Sequence, residues 1–163
     1  MKRAPVYLKG EVVAHTLLDD KDYERFRDIY FGFYRFGTKP RVHVTINGQQ
    51  RDLAWWILQP RAGCYVDHIN RDCLDNRREN LREATKAQNA YNSPGPQRGT
   101  SRFKGVSWFP HDKRRRRWRA VIVKDGKQHH LGYFKTEEDA AQAWNEAARK
   151  LHGEFAWQNP FEA

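Results

Sequence analysis

Two prolines and two glycines stand within nine residues of this chain, Ser93-Pro94-Gly95-Pro96-Gln97-Arg98-Gly99-Thr100-Ser101. Proline removes an amide donor and fixes its own φ, and glycine pays heavily in backbone entropy when ordered, so the stretch bars regular structure and reads as a linker. The sequence on either side must then close a core of its own. A length of 163 residues allows one ordinary domain or two small ones. A hydrophobic content of 39% with 13% aromatics is enough for small cores and argues against wholesale disorder.

Before the linker, residues 1–62 are rich in aromatic and β-branched side chains. Short strands are predicted at 6–8, 12–14, 29–31 and 42–46, with turns at Lys9-Gly10 and Asn47-Gly48, and a short helix over 53–58 with Trp55 and Trp56 packed inside. After the linker, residues 103–109, 115–124 and 128–134 read as three strands, with Asp125-Gly126 turning between the last two. Thr136 caps a helix whose first turn, Glu137, Glu138 and Asp139, matches the helix dipole. Ala140, Ala143, Trp144, Ala147 and Leu151 recur at helical spacing as one apolar face. Period-2 alternation puts Trp118, Ala120 and Ile122 toward that helix and Arg117, Arg119, Val121 and Val123 on the opposite face.

Thirty Lys and Arg against twenty Asp and Glu give a formal net charge of +10, which favours a polyanionic partner, nucleic acid first. No apolar run approaches the roughly 18 residues of a membrane helix, and the N-terminus lacks the apolar stretch of a signal peptide. A soluble, cytoplasmic protein is expected. Only Cys64 and Cys73 are present, without a C-x-x-C pair, so a Cys₄ zinc site is impossible and two reduced thiols are expected.

Chemistry concentrates in Val66-Asp67-His68-Ile69-Asn70, followed by Asn76, Asn80-Leu81-Arg82 and Asn89. Asp and Asn oxygens are hard ligands suited to Mg²⁺, which takes few protein ligands and keeps waters and phosphate oxygens. A neutral histidine beside them can deprotonate water at neutral pH. Residues 64–69 are strand-like and 80–84 can pair back with them, while Thr85-Lys86-Ala87-Gln88 matches a capping box that starts a helix near Lys86. Neighbouring strand residues point to opposite faces, so Asp67 and His68 can share a site only where the strand ends or bulges. Arg71, Arg77, Arg78 and Arg82 are available to grip a nucleic-acid backbone.

Val-Asp-His-Ile-Asn, then Asp-Asn-Arg-Arg-Glu-Asn-Leu-Arg, then Gln-Asn resembles the HNH family of His-Me finger nucleases, especially phage and intron-encoded homing endonucleases. The resemblance implies that His68 is the general base and that Asp67 and Asn89 hold one Mg²⁺ or Mn²⁺, not zinc. It implies that Asn80 pins the loop that orients His68, with Asn76 a lesser candidate for the same role. Residues 102–159 resemble the plant APETALA/ethylene-response-factor DNA-binding domain, in the version attached to phage HNH nucleases. Phe103-Lys104-Gly105-Val106, Trp118-Arg119-Ala120, Leu131-Gly132-Tyr133-Phe134, Glu138-Asp139-Ala140-Ala141 and His152-Gly153-Glu154-Phe155-Ala156 carry that likeness. It implies a three-stranded sheet in the major groove, backed by the helix. Lys104, Ser107, Arg117, Arg119, Gln128 and His130 are the DNA-facing candidates, and Arg115, in the basic run at 113–117, is a phosphate contact.

The expected architecture is α+β: a ββα-metal nuclease motif at 63–92 behind a β-rich leader at 1–62, a linker at 93–101 and an APETALA-like domain at 102–163. The expected function is that of a homing-type, site-specific DNA endonuclease, acting as a monomer on double-stranded DNA in the host cytoplasm if phage-encoded. A non-catalytic DNA-binding regulator on a degenerate HNH fold is the rival reading.

Overall fold

Alternation of small or β-branched residues with polar ones dictates the first strands. Ala4 and Val6 face inward on β1 (Lys2–Leu8), and their register partners Thr16 and Ala14 lie on β2 (Glu11–Leu18), across the Lys9-Gly10 turn. The computed structural model describes residues 1–95, 99–110 and 118–161. It is a mixed α+β chain that divides into two units, Met1–Lys86 and Ala87–Ala163.

In the first unit, α1 (Asp20–Phe26) follows β2 and precedes β3 (Gly32–Phe36), β4 (Lys39–Ile46) and β5 (Gln49–Asp52). The five strands form one sheet in the order β2-β1-β3-β4-β5. Helix α2 (Leu53–Leu58) packs on it, and the core gathers Val6, Leu18, Phe26, Phe31, Val42, Val44, Leu53 and Ile57. Two expectations need correcting, and two elements are additional. The strand predicted at 29–31 begins at Gly32, because Phe31 is used as a core residue ahead of the strand. Trp55 and Trp56 are half-buried rather than inside, since six residues offer a single inward face and Leu53, Ala54 and Ile57 take it. Helix α1 and strand β5 went unread: α1 buries Asp22 beside Phe26, and β5 is an all-polar edge strand, Gln49-Gln50-Arg51-Asp52. The unit closes with β6 (Tyr65–His68) and β7 (Leu81–Ala84), an antiparallel pair.

The second unit opens on α3 (Lys86–Tyr91, all but its first residue). Strands β8 (Val106–Trp108), β9 (Trp118–Lys124) and β10 (Lys127–Phe134) form an antiparallel sheet in the order β10-β9-β8. Helix α4 (Glu137–His152) lies against it, its Thr136 Oγ1 accepting from the Asp139 amide at 3.1 Å. Trp118, Ala120 and Ile122 pack toward α4, as alternation requires. The buried stripe of α4 is rotated from the expected one: Ala140, Ala141, Trp144, Ala148 and His152 are buried, whereas Ala143, Ala147 and Leu151 are half-buried. The true stripe includes Asn145 and His152, polar residues that hydropathy spacing discards. Gly105, at φ +74°, brings the backbone against Trp144, where a Cβ would fall 2.0 Å from Nε1. Gly132, at φ +136°, follows a bulge that skips Leu131, which packs on both clusters of the core.

Residues 93–95 and 99–101 of the expected linker lie within this unit, and α3 is fastened to it. The Tyr91 ring stacks on His152 at 3.7 Å, its hydroxyl accepts from the Asp125 amide at 3.1 Å, and its carbonyl accepts from the Trp157 amide at 3.2 Å. Lys104 departs from its expected DNA-facing place. Its Nζ donates to the carbonyls of Ala90 (2.9 Å), Tyr91 (3.0 Å) and Ser93 (2.6 Å), and lies 5.5 Å from the Trp144 ring centroid. It caps the carbonyls of Ala90 and Tyr91 at the end of α3 and that of Ser93 just beyond it. Burial draws its pKa down to about 8. Lys104→Met should remove the charged donor these carbonyls share and cost about 1–3 kcal/mol, read as a thermal midpoint several degrees lower; an unchanged midpoint would show the contact to be idle. Among the described residues, no helix is long and apolar enough to cross a membrane.

Candidate active site

Strand β6 ends at His68, and the chain turns there: the Arg71 amide donates to the His68 carbonyl (2.9 Å), with Arg71 at φ +66°. This strand end lets Asp67 and His68 both be buried, each about 5% exposed, although they are neighbours. They take different partners. Asp67 faces its register partner Arg82, whose Nε and Nη2 approach Oδ2 at 2.9 and 2.8 Å. His68 Nε2 lies 3.1 Å from Asn76 Oδ1.

Asn76 is itself oriented. Its Nδ2 donates to Thr16 Oγ1 (2.9 Å) and to the Cys73 carbonyl (3.3 Å), while Thr16 Oγ1 donates to the Leu74 carbonyl at 2.7 Å. With its amide nitrogen committed to two acceptors, Asn76 can present only an acceptor to His68. His68 therefore carries its proton on Nε2 in the neutral form, and the basic lone pair is on Nδ1. Burial is the largest influence on this imidazole and lowers its pKa below the ordinary histidine value; the Asn76 bond opposes that shift. The downward shift favours the neutral ring at pH 7.

The loop between β6 and β7 is braced at several points. Asn80 Oδ1 accepts from the Asn70 amide (2.9 Å), and its Nδ2 donates to the Asp75 carbonyl (2.8 Å). Asn70 Nδ2 donates to Asp75 Oδ2 (2.9 Å), and Arg77 forks onto the same carboxylate at 2.8 and 2.7 Å. The Arg77 hydrogen bonds hold the Asp75 carboxyl below its usual pKa range. Backbone bonds Leu17 N to Leu74 O (2.8 Å) and Asn76 N to Leu17 O (2.9 Å) dock the loop on β2. Asn80 thus braces the loop, and Asn76, the lesser candidate in the sequence, is the residue in contact with His68.

Arg77, Arg78 and Arg82, expected on the substrate backbone, are engaged within the unit. Arg78 pairs with Asp22 at 2.7 Å, Arg77 with Asp75 at 2.7 Å and Arg82 with Asp67 at 2.8 Å. Sequence reading missed Thr16, Asp22 and Asp75; each is polar, and only tertiary pairing marks it out. Asn89 lies exposed on α3, in the second unit, whereas Asp67 and His68 belong to the first. Both cysteines are free thiols.

Among the described residues, no three His, Cys, Asp or Glu side chains gather as a metal cage. A hydrated hard cation needs less: Mg²⁺ takes one or two carboxylates and fills its shell with water and phosphate oxygens. Asp67, a buried carboxylate next to His68, has the right donor chemistry, and Arg82 donates to its Oδ2.

On the second unit's sheet, register sets Ser107 beside Arg119 and Tyr133, Val121 beside His130, and Val123 beside Gln128, all on the face away from α4. Gln128 and His130 are exposed, while Ser107 and Arg119 are half-buried, the Arg119 guanidinium 5.5 Å from the Phe109 ring. Trp108 packs edge-on to Trp118 at 5.0 Å. Arg115 and Arg117, with the rest of the basic run, lie outside the described residues.

Comparison with known proteins fits this geometry. A family model described as HNH endonuclease matches residues 59–91, the stretch that holds β6, the loop, β7 and α3. Protein 3.8 of Escherichia phage T7 is 37% identical over 94 residues, 58% of this chain and 74% of that protein. The uncharacterized HNH endonuclease L560 of Acanthamoeba polyphaga mimivirus is 39% identical over 98 residues, 60% of this chain but only 48% of its own length. No solved structure matches. The chain belongs to the same family as Protein 3.8 of phage T7, and it carries an HNH endonuclease domain.

Proposed function

We propose that the protein is a site-specific, metal-dependent DNA endonuclease of homing type, with His68 as its general base. The observation that carries this reading is the chain Thr16–Asn76–His68, which orients a buried imidazole and favours its neutral Nε2–H tautomer, the form whose basic nitrogen is Nδ1. His68 takes a proton from the water that attacks phosphorus, and Asn76 holds the ring in place as it becomes charged. Asn80 is a positioning residue that keeps the loop braced. Asp67, with Asn89 as the second oxygen the family resemblance implies, would hold Mg²⁺ or Mn²⁺. When bound, such a cation stabilises charge on a phosphate. The products expected are 5′-phosphate and 3′-hydroxyl ends on double-stranded DNA.

Site selection is assigned to the second unit, whose sheet-and-helix layout supports the likeness to the APETALA domain. Ser107, Arg119, Gln128 and His130 share its outward face; Arg117 is proposed as a further DNA-facing residue and Arg115 as a phosphate contact. Arginine suits guanine edges and phosphates, and glutamine suits adenine. The homing reading is supported by the union of such a unit with an HNH domain.

A direct test is cleavage of supercoiled plasmid and genomic DNA by the full-length protein in Mg²⁺, Mn²⁺ or EDTA, with the ends sequenced. Metal-dependent cutting at recurring sites is expected. The rival, a DNA-binding regulator without activity, draws support from the Asp67–Arg82 ion pair, which occupies the proposed cation ligand. Tight duplex binding with no metal-dependent cutting would decide for the rival. Within the active reading, Asn76→Ala should lower the rate roughly 10- to 100-fold, the scale seen when the partner orienting a functional histidine is lost. Its pH–rate acid limb should also move to lower pH, because the Asn76 bond raises the His68 pKa. A slower enzyme with an unmoved limb would make Asn76 merely structural.

A further inference from the structure

Helix α4 buries two polar residues that its apolar packing does not need, Asn145 and His152, at 5% and 6% exposure. Burying a polar group costs free energy unless it finds a partner. Both lead to α3. Asn145 Oδ1 accepts from the Asn159 amide (2.7 Å), and its Nδ2 donates to the Asn159 carbonyl (3.0 Å). The Asn159 side chain then does the same to Lys104, accepting from its amide (2.7 Å) and donating to its carbonyl (3.1 Å). Lys104, pinned in this way, sets its Nζ on the carbonyls at the end of α3. The chain leaving α3 is pressed on the same residue: a Cβ at Gly95 would fall 2.8 Å from the Lys104 Cα. The second route is shorter. His152 Nε2 donates to the Val123 carbonyl (2.8 Å), which holds its ring flat against Tyr91, with 4° between the planes.

Of the six described residues of α3, only Tyr91 is buried. A helix of that length does not persist in water on its own, so the fastening of Tyr91 decides where α3 stands. Asn89 lies two residues before this anchor and is exposed. The HNH match runs to Tyr91 and stops there. The last residue of the nuclease motif is therefore held by His152, Asp125 and Trp157, all of the second unit.

We infer that Tyr91 and Lys104 are positioning residues of the nuclease: by fastening α3 to the second unit's core, they set the place of Asn89. The unit assigned to site selection then also presents a cation ligand, and exchanging it for another DNA-binding module would cost metal affinity. This rests on the reading of Asn89 as a ligand to Mg²⁺ or Mn²⁺.

Mn²⁺ alone is the probe, titrated onto full-length proteins with free Mn²⁺ counted by electron paramagnetic resonance, so the readout does not depend on cutting. Lys104→Met should weaken Mn²⁺ binding roughly 10-fold, the scale for losing a group that orients a ligand. Tyr91→Leu should act in the same direction. Asn89→Ala should also weaken binding, and adding Lys104→Met to it should weaken binding no further, since an effect acting through Asn89 vanishes with it. In EDTA, amide hydrogen exchange across residues 88–92 should run roughly 10-fold faster in Lys104→Met. Thr136→Ala, which removes the α4 cap, controls for general loosening: the melt should fall while Mn²⁺ affinity and α3 exchange stay as they were. Unchanged Mn²⁺ affinity in Lys104→Met, or equal weakening with and without Asn89, would overturn the inference. No effect of Asn89→Ala would sink the reading of Asn89 as a ligand, and the inference with it. Cutting in Mg²⁺ is scored separately: the expected Mn²⁺ pattern without any cutting would sustain the anchor and sink the endonuclease reading.

Discussion

Replacing His68 with alanine is expected to slow duplex cleavage by roughly 10²- to 10⁴-fold, the usual scale for one acid–base group, with affinity for DNA nearly unchanged. The separation follows from where the residue sits. His68 is buried against Asn76, so losing it removes a proton acceptor from the chemistry while the exposed basic surfaces that meet DNA stay as they are. Alanine would also leave a cavity and an unpaired Asn76 oxygen. His68→Gln answers that objection, since its amide can still donate to Asn76 Oδ1 but has no basic nitrogen. Both variants should be equally inactive, with His68→Gln the more stable in a thermal melt. Near-normal cleavage by His68→Gln would remove His68 from the chemistry.

The second large effect is expected at Asp67, where two consequences must be told apart. Asp67→Ala removes the carboxylate proposed for the cation and leaves Arg82, only 12% exposed, without its partner. Breaking a buried ion pair from one side costs about 3–5 kcal/mol, so a lower thermal midpoint should accompany the loss of activity. Asn89 separates the two, because it is exposed on α3 and its removal should leave the melt untouched. Asn89→Ala should therefore shift the Mg²⁺ titration of cleavage to higher concentration at unchanged stability. If Asn89→Ala and Asp67→Ala both keep the wild-type titration, the cation is held elsewhere.

Protonation should also limit stability in acid. Burial lowers the pKa of both His68 and His152 in the folded chain. The unfolded chain takes up those protons near pH 6.5 while the folded chain does not, so stability falls as pH drops below about 6.5.

Much of the second unit was legible because its signals are local. Thr136 caps α4, Asp125-Gly126 turns β9 into β10, and alternation assigns Ala120 and Ile122 to the core. Lys104 was misread for the same reason: alternation sees a basic residue near a strand, and only the three carbonyls gathered around Nζ reveal a helix cap. In the first unit, Asp67, His68 and Asn80 stood out as a dense polar motif. Asn76 was rated below Asn80 because its importance comes from Thr16, sixty residues away on β2, which has nothing in its own neighbourhood to mark it. Arg77, Arg78 and Arg82 looked available for DNA because a sequence does not display their carboxylate partners. Helix α1 and strand β5 were invisible to hydropathy, one burying an aspartate and the other wholly polar.

The central claim is that a neutral His68, oriented through Nε2, is the base. The pH–rate profile of single-turnover cleavage in saturating Mg²⁺ tests it most directly, with wild type and His68→Gln side by side. Because burial lowers the His68 pKa, the wild-type rate should climb along a one-proton limb with its midpoint below pH 6.5. His68→Gln should lack that limb. A wild-type midpoint above 6.5, or the same limb persisting in His68→Gln, would contradict the account.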